Sequence, residues 1–142
     1  MFGSVSFSVT SRPDDNKAKG FSNSRGLVIN PNKNLSGVQA QISQNTSGVG
    51  RARLYDYAAG SYIESVGVSG LSGGDTFSFS SSVTSGQDYG IELDNNGNSF
   101  TVGFNQSSNY PYTGSDLDIV ARSGDGTQQT DAVQAVNDIR GT

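Results

Sequence analysis

The chain contains no cysteine, no histidine and no tryptophan, one methionine, three prolines and only two glutamates. Without cysteine there is no disulfide framework and no thiolate metal site, so stability has to come from a core or from neighbouring subunits. Without histidine or cysteine, the usual bases and the strongest nucleophiles of covalent catalysis are missing. No apolar run is long enough to span a bilayer as a helix, and we expect no membrane partner. Met1 runs straight into the alternating segment Gly3–Val9, with no basic and apolar leader before it. This start predicts synthesis in the cytoplasm.

What is present is serine and glycine, 23 and 19 of 142 residues, with many Asn and Thr and a hydrophobic fraction of 32%. That composition suits an exposed β-protein, and exposure combined with a cytoplasmic start is how a virion protein lives. Among the acids, 11 are Asp. The charges are unevenly spread: residues 1–53 hold seven bases against two acids, and the remainder two bases against eleven acids. Patches of opposite sign can steer subunits together. The simpler expectation is that a sandwich interleaves early and late strands and cancels the difference.

Apolar residues recur every second position almost throughout, the period of half-buried strands. Val38-Gln39-Ala40-Gln41-Ile42, Phe77/Phe79, Tyr89/Ile91/Leu93, Phe100/Val102/Phe104 and Leu117/Ile119/Ala121 each alternate with polar residues. Ala52 and Leu54 point inward and leave Arg53, Tyr55 and Tyr57 outside; Val66 and Val68 follow the same rule, and Leu27-Val28-Ile29 is a short strand. In Tyr89–Asp94 the alternation places Glu92 on the outward face. Turn signals separate these runs: Ala58-Ala59-Gly60, Gly70–Gly74, Ser85-Gly86-Gln87, and Asn95-Asn96-Gly97-Asn98, which predicts a hairpin. Ser11–Ser24 and Gln106–Ser115 read as loops. Thr130–Ile139 fits a short helix or a last strand, and the all-β context favours a strand burying Val133, Ala135 and Ile139. The expectation is one domain over 1–142: an all-β, two-sheet antiparallel β-sandwich, jelly-roll-like, of eight to ten strands. Residues 1–25 form an N-terminal strand and loop, and Met1–Thr10 is a candidate oligomerisation arm pairing with a neighbour's sheet.

No pattern specifies a catalytic centre, so the expected protein is not an enzyme. Its serines fall in strand alternation and Gly-rich turns, including Ser80-Ser81-Ser82, and its two glutamates, Glu64 and Glu92, both lie on strands. A structural Ca²⁺ is the one cofactor the oxygen-bearing groups could hold. The candidates are Asp14-Asp15-Asn16, Asp116/Asp118 and Asn137-Asp138. Asp94–Asn98 opens like an EF-hand loop but lacks the distal glutamate and is read as a turn. Tyr110 and Tyr112, in Asn109–Thr113, and Tyr55 and Tyr57, beside Tyr62, are candidate stacking surfaces for a glycan. Their alternative use is loop anchoring and strand-face packing. Arg51 and Arg53 beside Tyr55 do not make a basic face on a net-acidic chain, so no nucleic acid is expected.

Gly26–Val38, Arg51–Asp56, Gly70–Phe79, Gly86–Asp94 and Tyr110-Pro111-Tyr112 follow one another in an order that resembles small jelly-roll domains of haloarchaeal virus and provirus structural proteins, similar to carbohydrate-binding modules. The resemblance covers roughly residues 26–140. It implies a non-catalytic virion component, such as a capsid decoration, turret or tail-fibre module, that contacts its own copies and other virion proteins. A carbohydrate-binding, host-adhesion module is the alternative it implies. In such modules an Asp before an apolar residue of the last strand helps to hold calcium, which points to Asp138. The chain departs from them in lacking tryptophan.

Overall fold

The computed structural model describes residues 8–142. Among these residues every regular element is a strand. In chain order they are Thr10–Ser11 (β1), Lys17–Phe21 (β2), Arg25–Pro31 (β3), Val38–Ile42 (β4), Arg51–Asp56 (β5), Ser61–Gly67 (β6) and Thr76–Phe79 (β7). Then follow Tyr89–Asp94 (β8), Phe100–Asn105 (β9), Leu117–Gly124 (β10), Thr127–Gln129 (β11), Val133–Gln134 (β12) and Val136–Gly141 (β13). Pairing is antiparallel throughout, in a six-stranded sheet β11-β10-β3-β8-β5-β6, a four-stranded sheet β1-β13-β4-β7 and a three-stranded sheet β12-β9-β2. The two smaller sheets are joined at Ala135, which has φ 69°. Its N–H donates to Gly103 O at 2.9 Å and its C=O accepts from Ser43 N at 2.8 Å.

The all-β sandwich is the expected architecture, with thirteen strands among the described residues rather than eight to ten. The extra strands are short and mostly polar. Ser11–Ser24 is not all loop: Lys17–Phe21 pairs with the whole middle of β9, from Lys17↔Phe104 to Phe21↔Phe100. Its sequence, Lys-Ala-Lys-Gly-Phe, lacks an apolar stripe because it is an edge strand, and its two lysines discourage further pairing. The C-terminal segment is strand, with Val133, Ala135 and Ile139 fully buried.

At Asn95–Asn98 the turn forms as expected: Asn96 and Gly97 have φ 54° and 87°, and Asn98 N donates to Asn95 O at 3.0 Å. The hairpin does not. β8 is already paired on both edges, with β3 and β5, so the chain leaves the turn into the other layer and β9 pairs with β2 and β12.

One apolar cluster gathers side chains from all three sheets, among them Leu27, Ile29, Leu54, Ile91 and Ile119 of the large sheet and Ile42, Phe79, Val102 and Ile139 of the small ones. Fully burying a side chain such as Leu, Ile or Phe stabilises by about 1.5–3 kcal/mol. Strands β4, β5 and β7 alternate buried and more exposed positions, whereas β8 is buried at all six. The early bases meet late acids within the chain: Lys33 pairs with Asp116 at 2.6 Å, and Arg51 and Arg53 lie 3.1 and 3.2 Å from Asp94. Three of the seven early bases thus meet late acids within the chain, the direction that strand interleaving predicts.

At Gly26 the sheet backbone leaves no room for a side chain. A Cβ there would stand 2.7 Å from the Ile91 carbonyl carbon, 2.9 Å from Glu92 Cα and nearer still to Ile91 O. Gly26→Ala is therefore expected to cost more than about 4 kcal/mol or to prevent folding, measured as the shift in urea midpoint against Gly67→Ala, where the space is open.

Candidate functional site

The densest polar arrangement lies on the outer face of the six-stranded sheet. At its centre is Glu92 of β8, expected outside but fully buried. Period two aims it at the correct face; that face is covered by tyrosines from β5 and β6 and by the β10–β11 turn. Glu92 Oε1 accepts from Tyr62 OH at 2.7 Å and lies 2.7 Å from Ser24 Oγ. Oε2 accepts from Ser123 Oγ at 2.6 Å and from Gly126 N at 3.1 Å. Tyr57 OH and Ser123 Oγ are 2.7 Å apart, so the serine relays the tyrosine to the carboxylate. Ser24 also reaches Asp125 Oδ1 at 2.8 Å, and its one proton is shared between the two acids.

Local sequence explains the cover. β5 and β6 lose register between Leu54 and Tyr55, with Leu54↔Glu64 followed by Tyr55↔Tyr62. The extra residue, Ile63, turns Tyr62 onto the outer face. Tyr55 then packs edge-on against both Tyr57 and Tyr62, each at 4.8 Å between ring centres. Arg53 lies 3.8 Å over the Tyr62 ring. Gly126, at φ 71°, closes the turn beneath Tyr55, whose ring carbon Cζ would be 2.9 Å from any Cβ.

The four candidate stacking tyrosines thus fall in two places. Tyr55 and Tyr57 sit together in the Glu92 cluster. Tyr110 and Tyr112 sit on the Gln106–Ser115 loop, half-buried against the core and edge-on at 5.5 Å. Tyr110 OH donates to Ala132 O at 2.5 Å, and Tyr112 OH accepts from Asn109 N at 2.7 Å. The Tyr110–Pro111 bond is cis. Tyr57, Tyr110 and Tyr112 therefore all spend their hydroxyls on intramolecular bonds.

The metal candidates are not brought together as a pair. Asp118 is on β10, its Oδ1 accepting from Asn32 Nδ2 at 3.2 Å and Gly114 N at 3.1 Å. Asp138 is on β13 in another sheet and accepts from Ser11 Oγ at 2.7 Å. Asp116 is occupied by Lys33 and Ser8 N. Among the described residues no group of three or more acidic side chains gathers as a metal cluster. Asp14, Asp15 and Asn137, from two of the oxygen-rich segments, do converge, beside the buried Arg12. Sequence reading missed Glu92, Ser24, Ser123 and Arg12 as buried polar groups, since each is an ordinary polar residue of a strand or its flank.

No family model matches the chain, and no curated protein matches it in sequence.

Burial pushes the phenol of Tyr57 up to about 12, with the nearby Glu92 charge acting in the same direction. Burial and the bond donated to Glu92 also raise Tyr62, and burial raises Tyr110. These groups hold their protons more tightly folded than unfolded, where tyrosine titrates near ~10. Their stabilisation is complete below that pH and is lost as pH rises through the folded values. Absorbance titration should show these three tyrosines ionising late, with the urea midpoint falling above pH ~10. Glu92→Ala, which leaves several donors unpaired, should cost about 3 kcal/mol or more. Glu92→Gln keeps one acceptor oxygen and should cost less, the two being compared by urea unfolding at neutral pH.

Proposed function

We propose that the chain is a non-catalytic structural subunit of an archaeal virus particle, acting through contacts with its own copies and with other particle proteins. The resemblance of its motif order to haloarchaeal virus domains supports the setting. The internal use of its reactive groups supports a structural role: Glu92 is saturated inside the sheet, and Glu64 accepts from the Ser80 and Ser81 backbone at 3.0 and 2.7 Å.

The observation that carries assembly is Val9. It is 50% exposed, one of two large apolar side chains so exposed among the described residues. It lies beside a shallow groove of about 150 Å³ lined by Gln39, Gln41, Thr76 and Arg140. In sequence it ends an alternating series with Val5 and Phe7. Most of the arm expected at Met1–Thr10 lies outside the described residues. Its last part is held in the chain itself, with Thr10 paired to Ile139 and Ser8 N donating to Asp116 at 2.7 Å. β1 meets Asp138 and Ile139 of β13, and Arg12 just after it takes the Asn137 and Val136 carbonyls, which leaves Arg140 and Gly141, at the end nearest Val9, as the part of this edge without a paired strand among the described residues. A strand added alongside β13, with Val9 covered by a neighbour, is the contact this arrangement favours.

Light scattering is expected to give a discrete oligomer with closed symmetry. Removing residues 1–7, or Val9→Lys, should yield monomers with an unchanged urea midpoint. A wild-type protein that is monomeric in both low and high salt, or variants that remain oligomeric, would overturn the proposal.

A further inference from the structure

A second free edge of the fold runs along β2. This strand pairs with β9 on one side only, and all of its residues but Phe21 are exposed. It makes no further main-chain bond among the described residues, so alternate N–H and C=O groups from Lys17 to Phe21 point outward unused. Lys17, Lys19 and Phe21 stand opposite Phe104, Val102 and Phe100 and therefore share the face turned toward the core. Phe21 packs against that core. Lys19, Phe21 and Phe104 line a groove of about 380 Å³ that also reaches Asp131, Ala132 and Gln134.

The charge of this margin runs against that of the chain, which is −4 overall. Lys17, Lys19 and Arg25 pair with no carboxylate among the described residues. Lys17 Nζ donates to Gln106 Oε1 at 2.9 Å, while Lys19 and Arg25 lie over the Phe21 ring at 5.6 and 4.2 Å. Burial, and then the neighbouring Arg122 charge, lower the pKa of the Arg25 guanidinium. The nearby acids are already engaged. Asp131 is held by Arg122 at 2.7 Å, and Asp125 accepts from Asn23 and Ser24. Asp14 and Asp15, ahead of Lys17, line the separate cleft beside Arg12. The margin thus carries four bases against two acids.

A free edge beside a groove suits an added strand, whose main chain fills the open bonds while alternate side chains enter the groove. Side chains directly across from Lys17 and Lys19 must then be acidic, because like charges at such positions repel. That rule turns away a second β2. The other edges of a second copy do not fit either: β1, β7 and β11 carry no acid, and Glu64 of β6 is taken by Ser80 and Ser81. Residues 1–7 contain no acid. A nucleic acid would answer the charge but offers no alternating N–H and C=O groups to the edge. We propose that β2 is a docking edge for an extended acidic segment of another protein, with carboxylates at every second position facing Lys17 and Lys19 and an apolar side chain beside Phe21. This edge lies in a different sheet from β1 and Val9, and the inference does not require self-assembly.

The test pans random phage-displayed peptides against the full chain and synthesises the peptide selected. Selected sequences should carry acids at alternate positions next to an apolar residue, and the peptide should bind with a Kd in the micromolar range or tighter. Amides of β2 that do not bond to β9 should exchange with deuterium more slowly in the complex. Reversing both charges, Lys17→Glu with Lys19→Glu, should weaken binding about tenfold or more. The urea midpoint should hold, since both side chains are exposed. Lys17→Arg with Lys19→Arg should retain binding. The proposal is overturned if no such pattern is selected, if the charge-reversed chain binds the peptide equally, or if exchange along β2 is unchanged. Equal binding of a peptide of the same composition with its acids clustered, of heparin, or of single-stranded DNA would mark a general anion surface and overturn it too.

Discussion

A buried carboxylate organises the large sheet. Glu92 sits on the central strand β8, and the groups around it come from four other places: Ser24 ahead of β3, Tyr62 on β6, Ser123 on β10 and Gly126 in the β10–β11 turn. A carboxylate offers about four lone-pair sites, and here four hydroxyl or N–H groups face them, Ser24 dividing its one proton between Glu92 and Asp125. Breaking one partner from such a group costs more than forming the bond gains, because the desolvated charge remains. The tyrosine row, the Ile63 bulge and the β11 hairpin therefore stand or fall with Glu92. They turn the outer face of the sheet into a second, polar core.

That second core answers a compositional problem. With 32% hydrophobic residues, the chain has enough apolar surface to fill the space between its sheets but too little to cover an outer face as well. Hydrogen-bonded tyrosines do the covering, supplying ring area to the interior and hydroxyls to Glu92 and Ser123. The same economy governs charge. Lys33, Arg51 and Arg53 from the first part of the chain are matched by Asp116 and Asp94 from the later part, while Arg12 is matched by Asp15 close by in sequence. Edges are guarded locally, by Lys17 and Lys19 on β2 and by the bulge at Ile63 on β6. Val9 stands outside these protections, which is why it draws attention as a contact point.

Period two was sufficient to read most of the long strands and the side of each that faces the core, because half-buried strands write their burial directly into alternation. It could not read β2 or β11, where Lys-Ala-Lys-Gly-Phe and Thr-Gln-Gln are too polar or too short to show a period, nor that the C-terminal segment divides at Ala135 into β12 and β13 of different sheets. Nor could it say that an outward face is covered. Glu92 and Ser123 look solvated until the β10–β11 hairpin is placed over them, and nothing local to either residue encodes that. The Asn95–Asn98 turn shows the same boundary. Its positive φ values follow from Asn and Gly, but whether the flanking strands pair depends on which edges distant strands already occupy. Tyr110 and Tyr112 were legible as a pair; that their hydroxyls are tied back to Ala132 and Asn109 was not.

The two polar interiors differ in one respect. Around Glu92 the acceptors are matched by donors from the chain, so the site is complete and its chemistry is structural. Around Arg12 the chain fixes a guanidinium and a carboxylate against each other and leaves Arg12 Nη2, Asp15 Oδ2 and Asn137 Oδ1 without a protein partner, all three closed off from solvent. Gly103 makes room for the Asp15 carboxylate itself, since a Cβ there would collide with it. Both sites hold the fold together, the first with its acceptors faced by donors from the chain and the second with part of its polar interior left unpaired.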